Sequence, residues 1–156
     1  MMRIKDCMKR NVVSIPAAAS ISQAAGIFAN CHVGVLPVVD DLGKPIGIIR
    51  LGDLLSLELP DFVKLIADVD FVHNFGAVET TRPEAEELSR PVSTLMQPVS
   101  TVEEESGLLH AYALMLQHSV SDIPVVNNNG GLVGIVSRVD IGAAILSAWP
   151  AGRKTP

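Results

Sequence analysis

The stretch Gly134-Ile135-Val136-Ser137-Arg138-Val139-Asp140 joins an apolar run to a hydroxyl and, three residues later, to a carboxylate. Ser-x-x-Asp at a helix start places the hydroxyl at the N-cap and the acid at the third helical position. The backbone N–H groups are unpaired there and the helix dipole favours an anion. Such a corner can hold a polyol and a phosphate together: Asp140 accepts from vicinal hydroxyls while Ser137 and the backbone N–H groups face the phosphate. The same pattern is also an ordinary capping box, so by itself it is a weak motif. A related corner occurs earlier, Gly47-Ile48-Ile49-Arg50-Leu51-Gly52-Asp53, with the acid kept and Arg50 in the hydroxyl position.

Other chemistry finds little support. His32, His73, His110 and His118 are never three or four residues apart, so no helical pair of metal-ligating histidines exists. A hydrolase or metalloenzyme would have to use Asp68, Asp70 and His73, which read more simply as a solvated acidic helix face. Neither Gly-x-Ser-x-Gly nor Gly-x-x-x-x-Gly-Lys occurs, and no nucleophile–base arrangement stands out. Cys7 and Cys31 have neither metal nor redox spacing, and Cys31 reads as a small hydrophobe. Together with an N-terminus lacking the apolar core of a secretion signal, this points to the reducing cytoplasm.

The elements that must position the two corners come from a duplication. Ile15 to Leu55 overlays Val102 to Gly142 without a gap and with nine identities, among them Pro37/Pro124, Val38/Val125, Gly47/Gly134, Ile48/Ile135 and Asp53/Asp140. After one residue of slippage, Ile4 to Met8 matches Val92 to Met96. Each copy starts with a short strand, Val12 to Ile15 or Val99 to Val102. A helix follows, with the stripe Ile21, Ala24, Ala25, Phe28 or Leu108, Ala111, Tyr112, Met115. Ser20 and Gln23 form a capping box at the first of these helices. Next comes a strand with an internal proline, Leu36 to Val39 or Ile123 to Val126. Proline cannot donate to a ladder, so it is expected at a strand start or a sheet edge. Asp-, Asn- and Gly-rich turns make hairpins to Ile46–Ile49 and Leu132–Val136. A second helix closes each unit, with the stripe Ile141, Ala144, Ile145, Ala148 in the later copy. The unit is β-α-β-β-α.

Hydrophobic residues make up 48% of the 156 and aromatics only 4%, so the core must be aliphatic. The mean hydropathy of +0.36 is high, yet no apolar run approaches the ~18 residues of a membrane span. That surplus fits a covered subunit interface better. Charge is uneven. Residues 58–90 carry eight acids against three Lys and Arg, and no basic stripe appears anywhere, which argues against nucleic acid as a partner. Phe62, Leu65, Ile66 and Val69 predict a helix from Asp61 to about Val72 within this acidic connector, and residues 150–156 read as a frayed tail.

Two β-α-β-β-α units with a Leu/Ile-Pro-Val-Val strand, a glycine-containing hairpin and a Gly-x-x-Ser-x-x-Asp corner resemble a tandem CBS-domain pair, the Bateman module. The resemblance covers residues 1–57 and 91–149, with 58–90 as connector. It implies an α+β fold of two repeats packed sheet-to-sheet as one pseudo-twofold module. It further implies a stand-alone, non-catalytic regulatory protein that binds AMP, ADP, ATP or S-adenosylmethionine between the repeats. Such a module needs no cofactor, pairs into a homodimer, signals to another protein and touches no membrane. Carried over, Asp140 would hold the ribose and Ser137 would face the phosphate. Ile135, Val13, Val33 and Gly34 would surround the adenine, and Arg138 joins this set. A second, weaker cleft would use Asp53, Arg50, Ile48, Ser121 and Asp122, with Asp122 opposing a phosphate there. The alternative is a structural dimerisation module whose ligand corner is vestigial.

Overall fold

A computed structural model describes residues 1–58 and 83–150. The first copy contains β1 (Ile15–Pro16), α1 (Ile21–Cys31), β2 (Val35–Val39), β3 (Pro45–Arg50) and α2 (Leu51–Leu55). A short helix, α3 (Ala85–Leu88), ends the connector. The second copy contains β4 (Val102–Glu103), α4 (Leu108–His118), β5 (Asp122–Val126), β6 (Leu132–Ser137) and α5 (Arg138–Ser147). The expected helix from Asp61 to Val72, the Asp68, Asp70 and His73 group and the tail from residue 151 lie outside the described residues.

Each copy builds a three-stranded sheet, β1-β2-β3 or β4-β5-β6, whose first pair is parallel and second antiparallel. The class is α+β. The first strands begin later than their apolar residues suggest. Pairing starts only at Ile15↔Val38 and Val102↔Val125, because the preceding residues leave the sheet to line clefts described below. The prolines also depart from expectation, since Pro37 and Pro124 are buried inside the central strands β2 and β5. The reason is local. Their partners Ile48 and Ile135 turn their backbone bonds away, to Gln97 and Lys9, so each proline is in a non-hydrogen-bonded pair. On the other side β1 and β4 reach only as far as Val38 and Val125. A missing N–H costs nothing at that position.

The start of α1 follows the local code. Ser20 Oγ accepts from Gln23 N–H at 3.1 Å, and Gln23 Oε1 accepts from Ser20 N–H at 2.8 Å. Ile21, Ala24 and Phe28 are buried, as are Leu108, Ala111 and Met115, whereas Ala25 is exposed and Tyr112 half-buried. The hairpins are closed by Asp40 and Asn127, each of whose Oδ1 accepts two backbone N–H groups at 2.9–3.0 Å. Gly43 and Gly130 supply the left-handed φ of +78° and +84°.

The sequence copies and the packed cores are offset. Ile4, in a 3₁₀ turn at Ile4–Asp6, lies fully buried in the core of the second sheet beside Val102, Leu108, Met115 and Ile141. Val92, in the matching turn Val92–Thr94, lies in the core of the first sheet beside Ile15, Phe28 and Ile49. Each burial removes a whole aliphatic side chain from water, worth about 1.5–3 kcal/mol. Backbone bridges repeat the exchange, Lys9 with Ile135 and Gln97 with Ile48. Swapping the copies maps each contact onto the other, which is an approximate twofold relation. The glycines at positions 47 and 134 permit these bridges. A Cβ on Gly134 would sit 2.6 Å from Lys9 O, and one on Gly47 would sit 2.7 Å from Met96 Sδ.

Candidate functional site

The β6–α5 corner forms as its sequence dictates. Ser137 Oγ accepts from Asp140 N–H at 3.0 Å, and Asp140 Oδ2 accepts from Ser137 N–H at 2.9 Å, a reciprocal capping box. Asp140 Oδ2 also accepts from Lys9 Nζ at 2.6 Å. Burial pushes the Asp140 carboxyl up, but hydrogen bonds from Lys9 and Ser137, with the lysine charge, outweigh it and hold the group below its ordinary range. Asp140 Oδ1 has no donor among the described residues.

Lys9 connects this corner to a cleft of about 290 Å³ between the copies. Asn11, Val12, Val13, His32, Val33, Gly34, Val35, Asp122 and Ile135 complete its lining. Val13, Val33, Gly34 and Ile135 are thus brought together. Neither Ser137 nor Asp140 lines this cleft; Lys9, which does, links it to Asp140 through its ammonium. Arg138 is not part of it. Its side chain borders a separate hollow with Tyr112, Met115 and Ser121, and only its N–H, donating to Ser121 O at 2.9 Å, ties it to the inter-copy region.

The second cleft, of about 300 Å³, gathers Ile48, Arg50, Ser121 and Asp122 with Val35, Ser100, His118 and Ser119. Asp53 does not line it and instead accepts from Arg50 N–H at 2.8 Å. Two features went unread in the sequence here. Asp122 occupies the position of Val35 in the duplication, and both residues line both clefts, so Asp122 cannot by itself make one cleft poorer than the other. The difference lies at the corners, where Lys9, Ser137 and Asp140 in one face Gln97, Arg50 and Asp53 in the other. Among the described residues no group of three or more His, Cys, Asp or Glu is placed to hold a metal ion.

Residues 4–59 and 92–147, which contain both corners and both cleft linings, match the CBS domain model. The chain belongs to the CBS domain family. It carries two such domains. It is 29% identical over 140 residues to an uncharacterized protein of Methanocaldococcus jannaschii, covering 89% of this chain and 31% of that one. It is 28% identical over 145 residues to the chloroplastic CBS domain-containing protein CBSX2 of Arabidopsis thaliana, covering 88% and 60%. The CBS pair therefore spans less than two thirds of these relatives' length. Among solved structures, CBSX2 in complex with AMP superposes with a TM-score of 0.70 at 25% identity, covering 94% of this chain and 98% of that one. The CBS domain pair of protein MJ0100, in complex with 5′-methylthioadenosine and S-adenosyl-L-methionine, has the same fold at a TM-score of 0.69, 22% identity and coverage of 96% and 99%.

Within this CBS pair, Lys9 is the cleft residue that sequence reasoning missed. It has no spacing motif and lies 131 positions from its partner. The signal available was its place directly after the matched residues Met8 and Met96, where the other copy has Gln97. No helix among the described residues is long and apolar enough to cross a membrane.

Proposed function

We propose that this CBS pair is a non-catalytic regulatory module that binds an adenosyl ligand, one of AMP, ADP, ATP or S-adenosylmethionine, in the cleft beside Asp140. The observation that carries the reading is the Asp140 carboxylate, held ionised by donors on Oδ2, with no donor on Oδ1 among the described residues, and tied through Lys9 to the cleft wall. Val12, Val13, Val33 and Ile135 offer apolar surface for a purine, and on this reading Ser137 faces the phosphate. Support also comes from the AMP complex of CBSX2. The ligand-loaded module, a cytoplasmic homodimer, signals to a separate protein. The Arg50 cleft, with Ile48, Ser121 and Asp122, serves as a second and weaker site.

Titration calorimetry with AMP, ATP and S-adenosylmethionine tests the reading. A carboxylate–hydroxyl bond is charge-assisted and worth ~1.5–3 kcal/mol, so Asp140→Ala weakens binding about tenfold or more. Absence of heat or thermal shift with every ligand at millimolar concentration overturns it. One observation favours a structural pairing module instead: Asp140 already completes a cap and an ion pair without any ligand. In that case Ser137→Ala costs a cap's worth of stability, ~0.5–2 kcal/mol, and no ligand response exists to lose.

A further inference from the structure

Lys9 belongs both to the cleft wall and to the Ser137–Asp140 corner, and its two halves are held very differently. Its backbone is clamped on β6, with N–H donating to Ile135 O at 2.8 Å and O accepting from Ile135 N–H at 2.9 Å. Its side chain is 57% exposed and bonded at the tip to Asp140, whose own side chain is 16% exposed. The ammonium therefore covers a carboxylate, and it can leave by side-chain rotation alone. A lysine tip is a compact point charge on a flexible stem, suited to changing partners.

The cleft's other charged group is Asp122, with His32 beside it. Without Lys9 the site would present two carboxylates, Asp122 and Asp140, and would favour a cation. With Lys9 present, the sign of the site depends on where the ammonium goes when a ribose takes Asp140. A ligand bearing a 5′-phosphate gives the displaced ammonium a new anion. A 5′-thioether gives it none, and a 5′-sulfonium adds a like charge.

We propose that Lys9 is the specificity-determining residue of this cleft: it passes from Asp140 to the ligand's 5′-phosphate and so selects adenosine 5′-phosphates over adenosyl ligands with neutral or cationic 5′ groups. The inference rests on the reading of this cleft as an adenosyl site, and it fixes the ligand class that reading leaves broad.

Calorimetry at constant ionic strength with AMP and 5′-methylthioadenosine, on wild type, Lys9→Met and Lys9→Arg, tests it. Lys9→Met retains the backbone bridge, and its melting curve verifies that the fold is intact. Wild type is expected to bind AMP at least tenfold more tightly than the thioether. Lys9→Met loses that tenfold for AMP and binds the thioether as tightly as wild type or severalfold better, since Asp140 is uncovered. Lys9→Arg keeps most of the AMP preference. If Lys9→Met changes both ligands by the same factor, or if wild type does not discriminate, the selector role falls and the adenosyl site stands. If neither ligand binds wild type or variant at millimolar concentration, the site reading and the selector fall together.

Discussion

Replacing Gly134 by alanine measures how much the crossed backbone bridge contributes. The added Cβ would stand 2.6 Å from Lys9 O and 2.9 Å from Met8 Sδ. The first contact is with backbone, and that carbonyl is itself bonded to Ile135 N–H at 2.9 Å, one residue from the substitution. The strand carrying Lys9 must therefore lift, weakening both bonds of the bridge. Two backbone hydrogen bonds at ~0.5–1.5 kcal/mol each, with part of the ~1–3 kcal/mol typical of overpacking, give a loss of about 2–4 kcal/mol. The matching change at Gly47 is an internal control. Its Cβ would meet Met96 Sδ at 2.7 Å, the flexible part of a thioether side chain, and backbone only at 3.2 Å from Gln97 O. Methionine adapts, so Gly47→Ala costs about 1 kcal/mol. Urea denaturation with a common slope reads both values as midpoint shifts. Equal losses for the two variants, or a larger loss at Gly47, would refute the claim that the Lys9 bridge is the tighter of the two.

Three further outcomes follow from the same geometry. Ser119 closes α4 in the left-handed region at φ 54°, so Ser119→Gly raises stability by about 1 kcal/mol in urea titrations. Burial pushes the Cys7 thiol up, with Asp140 and Asp6 adding to it, so iodoacetamide labels exposed Cys31 first and Asp140→Asn speeds labelling of Cys7. The Asp140 carboxyl is held below its unfolded value, so its contribution is complete above about pH 4 and disappears as pH falls through the folded value. Asp140→Asn accordingly flattens the acid side of the stability–pH curve below about pH 4, measured by thermal melts.

Much of the fold was legible because it is written locally and twice. The helical stripes, the Ser20–Gln23 box and the Asp and Asn turns depend on neighbours within four residues, and the stripes and turns recur in register in the other copy. The exchange of leading turns was not legible. Ile4 and Val92 are apolar wherever they pack, and no local period says which of two equivalent cores receives them. The proline positions were misjudged for a related reason: whether a central strand has an open side at one residue depends on where its neighbour stops. At the site, the Ser137–Asp140 geometry could be read from spacing. The role of Lys9 and the double exposure of Asp122 could not, since both arise from contacts between copies.

The crossed arrangement also constrains how occupancy of the cleft can be felt elsewhere. The six residues Ile4–Lys9 are pinned at one end by Ile4 in the second core and at the other by the bridge to Ile135. A segment tied at both ends to the same sheet does not hinge. On the proposed reading, a ligand then acts through the side chains at the corner, moving the Lys9 charge while the backbone under it stays fixed. A ligand shifts an equilibrium only by its differential affinity for the two arrangements. Here those arrangements differ in whether the ammonium rests on Asp140 or on the ligand, so the response is electrostatic before it is mechanical, and added salt weakens it.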